Sequence, residues 1–292
     1  MAAVVAPSGP CSREDLWRGL GWLRARYRLR MSAGALSRDG YLAGDDARRR
    51  SELARAMLDP EVSAIVAIRG GYGAMRIMDD LPWGKFALRP KWLVGFSDIT
   101  VLHAAAWRAG VASIHGPNVV GLGSRATPRL RAAWIGALER PTARRQWRGL
   151  RVLHGGVAEG PLLGGNLAVL HALAVGGRLS VPRGSVLALE DVAEVPYRID
   201  RMLTSLVLGG HLANVAALVF GAFERCRLDG EDGPTIGEVL EERTRSLGIP
   251  VLFGAPFGHG DINDAFVLGQ PAAVGDGDIR LGVPAESAFP MN

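Results

Sequence analysis

The chain is poor in lysine. Lys85 and Lys91 are the only two in 292 residues, so the net charge of +5 rests on scattered arginines. No basic block interleaves with aromatics, so the sequence lacks the footprint of a nucleic-acid binder and no such partner is expected. Cysteine is equally scarce. Cys11 and Cys226 lie far apart, with no C-x-x-C spacing and no histidine pair beside them. That excludes a disulfide framework and argues against a zinc site, and it makes a reducing cytoplasm the expected compartment. No run of about 18 apolar residues exists, so no membrane span is expected. Met1 to Pro7 has no basic start and too short an apolar run for a signal peptide. What is present, 48% hydrophobic and 22% charged residues, is the composition of a soluble globular protein with room for two domains.

The first half alternates two periods. Ala2 to Ala6 and Val62 to Ile68 are short apolar runs, as strands buried on both faces would be. Ser12 with Asp15 opens a helix to about Arg26, and Asp45 to Leu58 is a second. Ala74 to Asp80 reads as helix-like. An apolar run through Leu93 passes into a helix ending near Gly110, and Val111 to Ile114 follows as another strand. Strands alternating with helices predict a doubly wound, mostly parallel α/β domain over residues 1–142. The basic, aperiodic stretch after Thr142 reads as an interdomain linker, 143–160. Residues 161–292 then form a smaller, mixed α+β C-terminal domain, in which Phe266 to Leu268 and Ile279 to Leu281 are among the final strands.

Functional loops of doubly wound sheets lie at the carboxyl ends of strands. Four segments sit there, beginning near Ser8, Arg69, Ser97 and His115. Gly95-Phe96-Ser97-Asp98-Ile99 places a serine at a sharp strand-to-helix corner, where α/β hydrolases hold a nucleophile. It is not the full G-x-S-x-G, because Ile99 replaces the last glycine. A second reading makes the hydroxyl a helix cap. Arg69-Gly70-Gly71-Tyr72-Gly73 fails both nucleotide phosphate-loop patterns, and fits either an oxyanion-hole amide or a tight turn without a ligand. Ser8, in Ala6-Pro7-Ser8-Gly9-Pro10, is a rival nucleophile or a loop residue lining a pocket. Of six histidines, His103 and His171 fall within helices, and His115 ends a strand, where it can line the cleft. His259 stands in a glycine-flanked loop after an apolar strand, where an imidazole can meet a hydroxyl. Glu190 and Asp191 end an apolar strand, and either can orient that histidine, cap an element or pair with an arginine.

Taken in order, these segments resemble the LD-carboxypeptidases, the muramoyl-tetrapeptide carboxypeptidases of bacterial murein recycling. Arg69 to Gly73, Gly95 to Thr100, His115-Gly116-Pro117, Gly164-Gly165-Asn166-Leu167, Leu189 to Val192, Pro196 to Leu203 and Gly258-His259-Gly260 carry the resemblance across nearly the whole chain. It implies a Ser97–Glu190–His259 triad, and so selects Glu190 over Asp191. It also implies an oxyanion hole from the Gly71 and Asp98 amides, a homodimer, a site between the domains, and no metal or cofactor. The implied substrate is a cytoplasmic murein tetrapeptide that loses its terminal D-alanine. The leaving group's carboxylate calls for a cation, for which Arg69 is the candidate by position; Tyr72 and Ser8 are further candidates for substrate contact. The nearest alternative is a microcin-immunity-type peptidase, which would use the same triad on an aminoacyl-nucleotide-like amide.

Overall fold

In a computed structural model of the chain, residues 1–124, 126–227 and 233–282 are described. The expected C-terminal domain therefore has its last ten positions, 283–292, outside the described residues. The chain divides into two compact units: residues 1–141 with 264–267, and residues 142–263 with 268 onward.

In the first unit, apolar runs without polar alternation become strands covered on both faces. β1 (Ala2–Val5), β2 (Leu29–Met31), β3 (Ala64–Ala67), β4 (Trp92–Gly95) and β5 (Ser113–His115) pair in parallel in the order β5-β4-β3-β1-β2. Between them run α1 (Arg13–Arg24), α2 (Asp46–Leu58), α3 (Trp83–Leu88) and α4 (Thr100–Arg108); α5 (Val119–Ser124) and α6 (Pro128–Glu139) follow. Ser12 caps α1 as expected, its Oγ accepting from Asp15 N (3.0 Å), and Asp45 caps α2 by accepting from Arg48 N (2.7 Å). Ala74 to Asp80 is tighter than expected, forming two successive 3₁₀ turns, Ala74–Arg76 and Met78–Asp80. Alternate strand residues Val4, Val66, Val94 and Ile114 share a core with Leu16 and Leu20 of α1, Val119 and Leu122 of α5, and Trp134 of α6. Arg26 and Tyr27 both donate to Glu139, fastening the end of α1 to the end of α6 and holding the Glu139 carboxyl down at about 2. The strand order reverses direction at β1, so the loops after β1 and β3 flank the switch point where doubly wound sheets bind ligands.

The second unit is a mixed sheet. Its strands are β6 (Arg145–Trp147), β7 (Arg151–His154), β8 (Ala158–Asn166), β9 (Ser185–Val192), β10 (Val215–Glu224) and β11 (Val251–Phe253), with β13 (Pro271–Gly275) and β14 (Asp278–Leu281). Their order is β6-β14-β13-β8-β9-β10-β11-β7. The central β8, β9, β10 and β11 run parallel, and antiparallel strands flank them on both sides. α7 (Leu167–Val175), α8 (Pro196–Leu208) and α9 (Ile236–Thr244) follow β8, β9 and β10.

Two expectations about organisation need correction. The stretch 143–160 is no linker, because it holds β6, β7 and the start of β8, all strands of the second sheet. And β12 (Phe266–Leu268), expected among the C-terminal strands, lies beside β5 in the first sheet. No helix of the described residues is long and apolar enough to cross a membrane.

Candidate active site

β1, β3 and β4 are adjacent, so the three loops leaving their carboxyl ends lie side by side. β4 ends at Gly95, Phe96 stays extended, and Ser97 turns to φ +65° before Asp98 and Ile99 lead into α4. Left-handed backbone costs a serine on the order of 1–3 kcal/mol, and such strain persists where the surrounding structure enforces it. The result is a sharp strand-to-helix corner, the shape in which a nucleophile elbow is built. The Ser97 hydroxyl caps neither the 3₁₀ turn nor α4.

The glycine loop is fitted to that corner. A Cβ on Gly70 would lie 2.7 Å from Ser97 Cβ and 2.9 Å from its Oγ, so no other residue fits. Gly70 O accepts from Gly9 N at 3.0 Å, joining the loop after β3 to the loop after β1. Asp98, only 4% exposed, accepts from Ala74 N at 2.9 Å and so ties the loop's far end to the serine turn. Burial pushes the Asp98 carboxyl up, opposed by the Ser8 hydroxyl, the Ala74 amide and the charge of Arg49. Arg49 has no exposed surface; it donates to Pro7 O (2.5 Å), Gly73 O (2.8 Å) and Gly44 O (3.2 Å), and pairs with Asp46. The Gly71 amide donates to no backbone acceptor among the described residues. The Asp98 amide belongs to the first turn of a helix, where amides have no intrahelical partner. Both are chemically suited to an oxyanion.

His103 and His115 lie behind the loops. His103 is wholly buried; its Nε2–H donates to Gly95 O (3.0 Å) and its Nδ1 accepts from Ser113 Oγ (2.9 Å). Burial lowers its pKa to about 4, so it is a neutral brace under the serine turn. An unfolded histidine near 6.5 binds a proton that the folded one refuses, so stability is complete above pH 6.5 and falls as pH drops toward 4. Integrated, this predicts about 2 kcal/mol less stability at pH 5 than at pH 7. Unfolding midpoints across that range check it, and His103→Gln should lose this part of the acid sensitivity. An unchanged slope would remove His103 as its source. His115 does not line a cleft: it is buried and stacked on Phe266, ring centroids 4.9 Å apart.

In the second unit, parallel pairing sets Asn166 at the end of β8 opposite Glu190 on β9. Glu190 has no exposed surface, and its Oε2 accepts from His259 Nδ1 at 2.6 Å. That bond fixes the proton on Nδ1 and leaves Nε2 as the basic nitrogen. His259 follows Gly258, whose φ of +122° suits glycine; a Cβ there would lie 3.0 Å from Glu190 Oε2. Asp191 is used otherwise. Its oxygens accept from Ala168 N (2.9 Å), in the first turn of α7, and from Val192 N (2.8 Å). Burial first, and then the charge of Glu190, push its carboxyl up to about 6. Asn166 Nδ2 donates to Asp191 Oδ1 (3.1 Å) and Glu190 Oε1 (3.3 Å), so one amide steadies both acids. Among the described residues, no group of three or more His, Cys, Asp or Glu side chains is placed to hold a metal ion.

The LD-carboxypeptidase N-terminal domain family matches residues 2–116, and the LD-carboxypeptidase C-terminal domain family matches residues 159–274. The chain belongs to the LD-carboxypeptidase family. Among relatives of this family member, the murein tetrapeptide carboxypeptidase of Pseudomonas aeruginosa is 34% identical, over 95% of this chain and 94% of that protein. The crystal structure of muramoyltetrapeptide carboxypeptidase from Oxalobacter formigenes superposes with a TM-score of 0.87 at 31% identity, covering 96% of this chain and 97% of that one. The microcin C7 self-immunity protein of Escherichia coli is more distant, 23% identical over 87% of this chain and 83% of that protein.

The remaining sequence candidates separate by exposure. Ser8 has none, so it cannot line a pocket; its hydroxyl lies against the Asp98 carboxyl. Arg69 is exposed, with one Nη1–H donated to Pro10 O at 2.7 Å. Tyr72 is half exposed and meets Tyr41 edge to face, centroids 5.6 Å apart. Three side chains of this arrangement, those of Arg49, Asp98 and Asn166, carry no local signal of their placement in the sequence. Arg49 stands in a run of three arginines on a helix, where nothing local separates it from Arg48 and Arg50, and only the fold shows that it is buried.

Proposed function

We propose that this LD-carboxypeptidase family member is a serine peptidase that hydrolyses the amide between the third residue of a murein tetrapeptide and its terminal D-alanine. The observation that carries the reading is the 2.6 Å hydrogen bond from His259 Nδ1 to the buried Glu190 carboxylate. In this reading Ser97 Oγ attacks the carbonyl while His259 Nε2 accepts its proton, and Glu190 supports the imidazolium. The amides of Gly71 and Asp98 take the oxyanion. His259 then protonates the leaving D-alanine amine, and water releases the peptide from Ser97. The chemistry calls for no metal or organic cofactor. The proposed setting is the cytoplasm, where murein peptides are recycled, and the proposed active form is a homodimer.

The decisive experiment is mass spectrometry of L-Ala–D-Glu–meso-diaminopimelate–D-Ala incubated with the protein. Loss of one alanine residue is the expected result. Cleavage of an acyl-sulfamoyl nucleotide with no action on the tetrapeptide would replace the murein reading with the microcin-immunity type. The leaving D-alanine carries a free carboxylate, and Arg69, exposed at the foot of the glycine loop, is proposed to bind it. Charge-assisted hydrogen bonds contribute about 1.5–3 kcal/mol, so Arg69→Ala should raise KM roughly ten- to a hundredfold with kcat little changed. Steady-state kinetics settle the point, and an unchanged KM assigns the carboxylate elsewhere. Tyr72 is proposed to flank the peptide.

A further inference from the structure

The glycine loop raises a mechanical problem. Its Gly70, Gly71 and Gly73 are the residues that lose most conformational freedom on folding, yet an oxyanion donor among them must be held still. The loop's near end is held at Gly70, whose carbonyl accepts from Gly9 and whose Cα packs on Ser97. Its far end is the 3₁₀ turn Ala74–Arg76. The residue at the N-cap of that turn is Gly73, which has no side chain to cap it. The cap comes instead from another strand's loop, as Asp98 accepts the Ala74 N–H at 2.9 Å. Arg49 holds the Gly73 carbonyl beside it. Asp98 directly follows Ser97, so the same residue that continues the serine turn also fixes the loop that faces it.

We propose that the Asp98 carboxylate is a positioning residue that clamps the glycine loop to the serine turn and thereby holds the Gly71 amide where the oxyanion forms. The proposal rests on the reading of Ser97 as nucleophile and Gly71 as oxyanion donor. It gives Asp98 two separate duties, one for its backbone amide and one for its side chain. A carboxylate that merely capped a turn would contribute stability and leave the transition state untouched.

The test compares Asp98→Ala and Asp98→Asn with wild type for kcat and KM on the tetrapeptide, thermal midpoint, and affinity for the matching peptide aldehyde. The aldehyde's adduct with a serine carries an oxyanion, so its affinity reports the hole directly. Outright loss of a donor costs about 10²–10³ in rate, and a loosened donor should cost a part of that. Folded Asp98→Ala is expected to lose about ten- to a hundredfold in kcat, with KM within about threefold and aldehyde affinity falling in parallel. Asp98→Asn should recover most of the loss, because its amide oxygen can still accept from Ala74 while its NH₂ faces Ser8. A kcat loss below tenfold in Asp98→Ala, an unweakened aldehyde, or an Asn variant as slow as the Ala variant each overturns the proposal. Should Asp98→Ala not fold, Asp98→Ser, polar but too short to reach Ala74 N, takes its place under the same criteria. A Ser97→Ala variant as fast as wild type overturns the peptidase reading together with the proposal. An inactive Ser97→Ala beside a fully active Asp98→Ala overturns the proposal alone.

Discussion

Replacing Ser97 by alanine should lower alanine release from the murein tetrapeptide by roughly 10⁴-fold or more while the protein stays folded. The substitution removes one oxygen. Its Cβ remains, so the contact with Gly70 survives, and alanine meets the same left-handed backbone that serine already tolerates at φ +65°. The thermal midpoint should therefore change little. What is lost is the only atom proposed to form a bond to the substrate. Residual rates above the uncatalysed reaction are expected from the oxyanion donors alone, and they set the floor that the assay will meet. Release within tenfold of wild type would show that another nucleophile, or a directly activated water, does the chemistry.

Glu190→Gln is expected to cost about 10⁴-fold in kcat, and the reason lies in the hydrogen-bond directions. Asn166 Nδ2 donates to Glu190 Oε1, so a glutamine would keep its carbonyl oxygen there and turn its NH₂ toward His259 Nδ1. Facing a donor, Nδ1 must become the acceptor, and the ring proton moves to Nε2, the nitrogen that should take the serine proton. The variant fails through its tautomer as well as through the missing charge. Asp191→Asn provides the contrast. Asp191 is spent on the first turn of α7 and on Val192, so its loss should appear as about 1 kcal/mol of stability with kcat nearly intact. Kinetics and unfolding curves on both variants separate the two acids; a loss below tenfold in Glu190→Gln would hand the orienting role to another carboxylate.

Local signals were readable in the sequence and long-range ones were not. Ser12, Asp45, the apolar runs of β1 and β3 and the Ser97 corner all depend on neighbours within a few residues, and the structure agrees with each. The choice between Glu190 and Asp191 depended on which acid faces a residue some seventy positions away, and composition offers nothing on that; the family resemblance supplied it. β6 was missed because an edge strand of three residues, Arg145-Gln146-Trp147, buries one side chain and carries no apolar period. β12 was recognised as a strand, but short apolar strands look alike and nothing local says which sheet they join. Thr127-Pro128 carries a helix-start signature for α6, a threonine cap followed by proline at the first position.

The placement of residues 264–267 has a practical consequence for anyone dividing the gene. The chain leaves the first unit after Pro141 and comes back for four residues before returning to the second. A fragment ending at residue 141 would lack the strand that lies beside β5, and with it Phe266, on which the buried His115 ring is stacked. It would expose an unpaired sheet edge and an apolar face at the same place, the combination that invites chains to aggregate edge to edge. Dissecting the protein into halves therefore requires a rearranged gene, with residues 264–267 carried over to the first half on a short linker.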